Sequence, residues 1–185
     1  MITGDDMLFS LAARNDAFNA ANDYLHNNRV RLKRSDYMAI INMGEPSYRQ
    51  RLYVYDRNGH IYIGAYCVAH GSGSSNPKDF AYATSFSNVN NSHKSSLGAM
   101  MTGDIYVGKH GKSLRLVGLE KGINDNVAKR SIVIHPADYV DDDFILDSGR
   151  AGQSWGCPAI SNNDAKVLIP LLAGGCYVYI YYPKP

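Results

Sequence analysis

From Asp36 onward the chain changes period, and that change limits its fold more than any other feature. Tyr37 to Met43 is a short apolar run closed by Gly44-Glu45-Pro46. Arg51 to Asp56 follows, then Arg57-Asn58-Gly59, then His60 to Ala69. Asn-Gly between β-rich runs is a strong hairpin signal. Gly71 to Asn76 and Ser85 to Lys94 are polar and turn-rich, and further strands are expected at Asp104-Val107, Leu114-Leu119 and Ser131-His135. Ser161-Asn162-Asn163-Asp164 has the form of a capping box and should open a short helix through Leu168 that Pro170 disturbs. Gly174-Gly175 breaks the chain before a last strand, Tyr177 to Tyr182. Segments this short cannot each bury a face alone, so they must pair into sheets.

Ahead of this region, Asp5 to Asn28 reads as an amphipathic helix, with Leu8, Leu11, Phe18, Ala21 and Leu25 recurring at helical steps. The expectation is one mainly β domain with peripheral helices. Residues 1–35 form a helical segment packed on a domain of residues 36–185. No repeat, linker or low-complexity tract divides it. The 14 tyrosines spread over the strands and suit β-packing.

Composition narrows the function classes. A hydrophobic content of 45% in 185 residues supports a real core. A net charge of +2 is too weak to imply nucleic acid, although a mildly basic surface tolerates an anionic polymer. No apolar stretch approaches membrane-spanning length, and Asp5 and Asp6 replace the basic start of a secretion signal. The three cysteines cannot all pair. Cys67 and Cys176 lie in apolar runs and read as buried, inert thiols. No CxxC pair suggests a cysteine zinc cluster.

The third cysteine lies elsewhere, in Gly149-Arg150-Ala151-Gly152-Gln153-Ser154-Trp155-Gly156-Cys157-Pro158-Ala159-Ile160. Its glycines permit tight turns and close backbone approach. A thiol that attacks a carbonyl needs access, a base, and donors for the developing oxyanion. Gly156 removes bulk beside the sulfur, and N–H groups around Gly156-Cys157 can supply donors. His135 ends the apolar run Ser131-Ile132-Val133-Ile134, where it can face a cleft and take the thiol proton. By spacing alone, a structural cysteine is as good a reading as a catalytic one, and a lone histidine would sooner be one that merely bonds to backbone.

Ser-x-Gly-Cys downstream of a strand-end histidine resembles the L,D-transpeptidase catalytic domain, the YkuD-type fold, and within it a branch with Trp before Gly-Cys and Pro after. Further matching segments are Arg51-Leu52-Tyr53-Val54-Tyr55-Asp56, Val68-Ala69-His70-Gly71, Phe86-Ser87-Asn88, Ser95-Ser96-Leu97-Gly98, Thr102-Gly103, Gly108 to Leu116, and Ile132 to His135. The resemblance implies a β-sandwich or barrel with strands framing a cleft, Cys157 as nucleophile, His135 as base, and a Ser154-Gly156-Cys157 loop around the oxyanion. It implies a peptidoglycan stem peptide as substrate, attacked after an L-centre and before a D-residue through a thioester. No cofactor or metal is implied. Two departures stand out: Pro136 follows the histidine where the better-known branch has Gly, and Ala159 stands where that branch carries a polar or basic residue.

Around this pair, His70 and His110 can line the cleft, or each can hold a loop by hydrogen bonds, a reading that is at least as open for His70. A zinc site built from His70, His110 and His135 is disfavoured, since no His-x-His or His-x-x-x-His spacing occurs. Arg115 and Arg150 suit a stem-peptide carboxylate, and Trp155 suits a cleft wall. Asp141-Asp142-Asp143 reads as a solvated turn. The expected activity is acyl transfer on stem peptides. The alternatives are a hydrolytic relative (a carboxypeptidase or endopeptidase, such as a phage lysin or secreted effector), an inactive wall-binding module, or a cysteine hydrolase of another substrate. The cell envelope or periplasm is the expected location if a signal is removed, and otherwise the chain is a delivered lytic protein.

Overall fold

The computed structural model describes the backbone of residues 4–183 and the side chains of residues 11–183. The helix α1 (Gly4–Asn27) precedes the strands β1 (Tyr37–Asn42), β2 (Leu52–Asp56), β3 (Ile61–Tyr66), β4 (His70–Gly71), β5 (Ser75–Asn76) and β6 (Asp79–Ala83). The long hairpin β7 (Gly98–Gly108) and β8 (Gly111–Gly118) leads to β9 (Val133–Pro136) and α2 (Asp142–Ser148). β10 (Gln153–Ser154), β11 (Ala159–Ile160), α3 (Asn162–Leu172) and β12 (Tyr177–Tyr181) complete the chain. The fold is mainly β with peripheral helices, as expected. Among the described residues, no helix is long and apolar enough to cross a membrane.

Eight strands form one sheet in the order β11-β9-β8-β7-β12-β1-β2-β3. Beyond β3, Ala69 donates its N–H to Ala159 of β11 (2.8 Å), so the two ends of the sheet nearly meet and the barrel almost closes. Closure of this kind removes exposed edges. Along β1 nearly every residue is buried because both faces are covered. Ala39 and Ile41 face the main core with Val178, Ile180 and α3's Leu168, Ile169 and Leu172. Met38 and Ile40 face α1.

The α1 stripe differs from expectation. Ala17 and Ala21 are fully buried, Phe18 and Leu25 pack partly, and Leu11 is 44% exposed. The side chain of Leu8 lies outside the described residues. Small side chains at the contact let the helix approach closely enough for Tyr177 to donate its hydroxyl to the Ala21 carbonyl (3.2 Å).

Other elements also depart from the reading. Ser161 caps α3 as expected, accepting from the Asp164 N–H (3.0 Å). However, α3 runs through Pro170 to Leu172. The carbonyl that loses its partner belongs to exposed Lys166, where water can take the bond. The Asp141-Asp142-Asp143 run is no free turn: Asp141 stands at the N-cap position of α2 but its carboxylate accepts from the Asn162 N–H (2.8 Å) rather than from the helix. Asp142 and Asp143 occupy the first turn, where the helix dipole favours negative charge. Cys176 is buried, whereas Cys67 is only half-buried and all three thiols are free.

Candidate active site

Parallel pairing of β9 and β11 sets Ala159 opposite His135. Cys157 therefore lies two residues ahead of His135's partner, beside the start of β9. Its thiol donates to the Ser131 carbonyl (3.7 Å), and among the described residues no hydrogen bond joins it to His135. Burial pushes the Cys157 thiol above its ordinary pKa, while the Val133 N–H, Arg130 and Lys109 act the other way. The resting group is therefore a neutral thiol, with the Val133 N–H and the two cations partly offsetting the cost that burial puts on a thiolate.

His135 is buried, and its Nδ1 lies 2.9 Å from the Pro136 carbonyl. A carbonyl only accepts, so Nδ1 carries the hydrogen and Nε2 keeps its lone pair. The contact uses only a main-chain oxygen, which proline supplies as well as glycine, so Pro136 leaves the histidine's orientation intact. Ala159 is fully buried, opposite His135 in the register and bridged to Ala69. The His110 ring stacks on His135 with centroids 4.3 Å apart and planes 22° apart. Burial holds the His135 pKa below its ordinary value, with smaller lowering from His110 and Lys109 and an opposing effect of the Pro136 bond. Removing His110 takes away both cover and a like charge, so His110→Ala should raise the His135 pKa. The acid limb of a pH–rate profile should then move to higher pH, with the rate deficit greatest in acid and fading above about pH 7.

The motif loop is held from inside. Ser154 Oγ donates to the Cys157 carbonyl (2.6 Å) and accepts from the Gly156 N–H (3.1 Å). The Gly156 amide was expected as an oxyanion donor but is committed to Ser154. The Cys157 N–H has no acceptor among the described residues. Gly156 has φ +114, and a Cβ there would stand 2.6 Å from the Lys94 carbonyl oxygen. Any larger residue must displace either the Lys94 segment or the cysteine. Gly156→Ala should therefore lower turnover by about 10²-fold, read as kcat on the intact protein, with the fold retained.

Of the two roles open to His70, the structure shows the loop-holding one, and neither His70 nor Ser154 presents a free group to a ligand. His70 is fully buried. An Arg51 N–H donates to its Nδ1 (2.9 Å), so its Nε2–H donates to Ser75 Oγ (3.0 Å). Burial, then Arg51 and Arg150, push its pKa down to about 3. It is a neutral bracket under β4, whose partner β10 leads into the motif loop. With both its nitrogens engaged, the zinc alternative fails. Among the described residues, no group of three or more His, Cys, Asp or Glu is arranged to hold a metal ion.

At the rim, Trp155 is 70% exposed and stacks on His93 (4.6 Å, 8°). Arg115 lies over Tyr106 (4.2 Å) and pairs with Val133, on the sheet face that also carries His135. Arg150 turns toward Phe80 (5.6 Å) and donates to the Ala151 carbonyl (3.1 Å). Three further residues act on the sulfur or its loop, and two of them, Arg130 and Tyr139, carry no sequence signal. Arg130 donates to four oxygens, of Ser87, Ser92, Lys94 and Ser96, and so ties the segment beneath Gly156. Tyr139 packs against Gly152, and burial, then Cys157, push its phenol up to about 12. Lys109 sits at the hairpin tip beside His110. Only Lys109 carried a signal, the Gly108–Gly111 turn.

The L,D-transpeptidase catalytic domain family, as a sequence model, matches residues 11–181. No protein with a curated description matches the chain. Among solved structures, a helical cell shape determining protein of Campylobacter jejuni is similar with TM-score 0.52 at 13% identity, over 84% of this chain and 50% of that one. A Bdellovibrio bacteriovorus protein is similar at 17% identity (TM-score 0.48), over 80% of this chain and 48% of that one. An L,D-transpeptidase from Mycobacterium smegmatis is similar at 11% identity (TM-score 0.46), over 80% and 59% of the two chains. The chain thus spans about half the length of these relatives.

Proposed function

Since the chain belongs to the L,D-transpeptidase catalytic domain family, we propose that it is a cysteine enzyme acting on peptidoglycan stem peptides through a thioester at Cys157. The observation that carries this reading is the His135 tautomer. Nδ1 is held by the Pro136 carbonyl, which leaves Nε2 as a free base on the strand paired with the cysteine's own segment.

The steps follow from these groups. Substrate entry turns the thiol hydrogen from Ser131 to Nε2 of His135. The sulfur attacks the carbonyl carbon of the L-centre, and the oxyanion is met by the Cys157 N–H. The C–N bond breaks as His135 returns the proton to the departing D-residue's amine. An acceptor amine or water then attacks the thioester, gives up its proton to His135, and releases the sulfur. Arg115, His110 and Trp155 line the approach. The substrate lies in the cell envelope, which is where the protein would act.

Incubation with a stem tetrapeptide tests this reading by the mass of an acyl adduct on Cys157. With purified muropeptides, new dimers mean transfer, whereas loss of the terminal D-residue or of cross-links means hydrolysis. Absence of an adduct and of every product, with wall sedimentation intact, would leave a binding module instead.

A further inference from the structure

Lys109 stands at the tip of the β7–β8 hairpin, next to the His110 ring that stacks on His135 at 4.3 Å. From the other side of the site, Trp155 reaches the same point: Lys109 Nζ is 5.8 Å from its ring centroid, and Trp155 is two residues from Cys157. The ammonium thus sits on the rim that joins base and nucleophile. It makes no ion pair with a carboxylate among the described residues. Arg130, the other cation near the sulfur, is spent on four oxygens. No Asp or Glu is among the groups that bear on Cys157, His135 or His110, whereas Lys109 bears on all three. A lysine on a mobile four-carbon stem, held over an indole face and lacking a counter-charge, is poised to exchange that face for an anion. A cleft of one sign concentrates ligands of the other.

We propose that Lys109 is a specificity-determining residue that binds a carboxylate of the substrate beside Cys157, with Trp155 as the apolar wall against which that end of the ligand lies. The inference rests on the stem-peptide reading for the identity of the ligand, but the charge preference belongs to the site itself. A peptide with a free carboxylate next to the reacting carbonyl is accepted, and its amide is disfavoured. Lys109 touches neither the attacking sulfur nor the proton in transit, so its contribution is to recognition.

Two measurements separate this proposal from the function it builds on. Alkylation of Cys157, followed by mass of its own peptide so that Cys67 does not interfere, is compared for anionic iodoacetate and neutral iodoacetamide. The iodoacetate-to-iodoacetamide rate ratio should fall about five- to tenfold in Lys109→Met, recover in Lys109→Arg, and fall in the parent protein at high salt. A ratio equal within about twofold in parent and Lys109→Met overturns the proposal even if stem peptides are turned over. In parallel, kcat/KM for a stem tetrapeptide over kcat/KM for its C-terminal amide should fall by a similar factor in Lys109→Met. If the parent turns over neither peptide, the enzymatic reading fails while the alkylation ratio still decides the role of Lys109.

Discussion

Cys157→Ser should lower turnover of a stem tetrapeptide by at least about 10³-fold and abolish the acyl adduct. Serine needs a stronger base than cysteine does, and this site offers a weaker one. Burial and the stacked His110 hold the His135 pKa below its ordinary value. The field of Arg130 and Lys109 can lower the cost of a thiolate but cannot bring an alkoxide into reach at neutral pH. Adduct mass and initial rate on the purified variant check this, with thermal unfolding as the control for fold. Turnover equal to the parent's would redirect attention from Cys157. Cys67 would be a poor substitute, since burial pushes its thiol up to about 11.

The second large effect is on stability in acid. His70 has a pKa of about 3 in the folded protein, pushed down by burial and then by Arg51, against an ordinary 6.5. Above pH 6.5 neither state binds the proton, so the group is neutral in its effect. Between about 6.5 and 3 the unfolded chain holds a proton that the folded chain refuses, so stability falls with pH by about 1.4 kcal/mol per unit, toward roughly 4 kcal/mol near pH 3. Denaturant unfolding across that range should show the slope. His70→Gln, whose amide can still accept from Arg51 and donate to Ser75, should flatten it while keeping most stability at neutral pH. An unchanged slope in that variant would mean that another buried group carries the acid sensitivity.

The sequence discloses parts of the site unequally, for physical reasons. Cys157 and His135 are legible because chemistry fixes their residue types and the ordered segments around them. The sheet is legible because β1 and β12 are covered on both faces and read as unbroken apolar runs. Arg130 is silent because its four acceptors come from a loop some 40 residues earlier, and only the fold brings that loop beneath Gly156. His70 is ambiguous for a related reason: a glycine-flanked histidine fits a cleft or a loop bracket equally until Arg51 and Ser75 claim both nitrogens. The helix α2 was hidden because Phe144 and Leu146 are exposed, so no apolar stripe marks it, and three aspartates look solvated until the fold brings Asn162 to Asp141 and sets Asp142 and Asp143 in the first helical turn. The Asn58-Gly59 turn was correctly located but differently made. Asp56 Oδ1 accepts from the Asn58 and Gly59 N–H groups, and His60 takes the positive φ.

The carbonyl that orients His135 belongs to Pro136, and this has a consequence for how the site tolerates genetic change. In a triad of side chains, the orienting carboxylate or amide is a third target that a single codon change can remove. Here the orienting atom is main chain, present whatever residue occupies position 136. Drift at that codon leaves the imidazole's tautomer untouched, and a scan for a third essential side chain should return only two. Disabling the orientation requires moving the backbone of β9 itself, which β8 and β11 hold on either side.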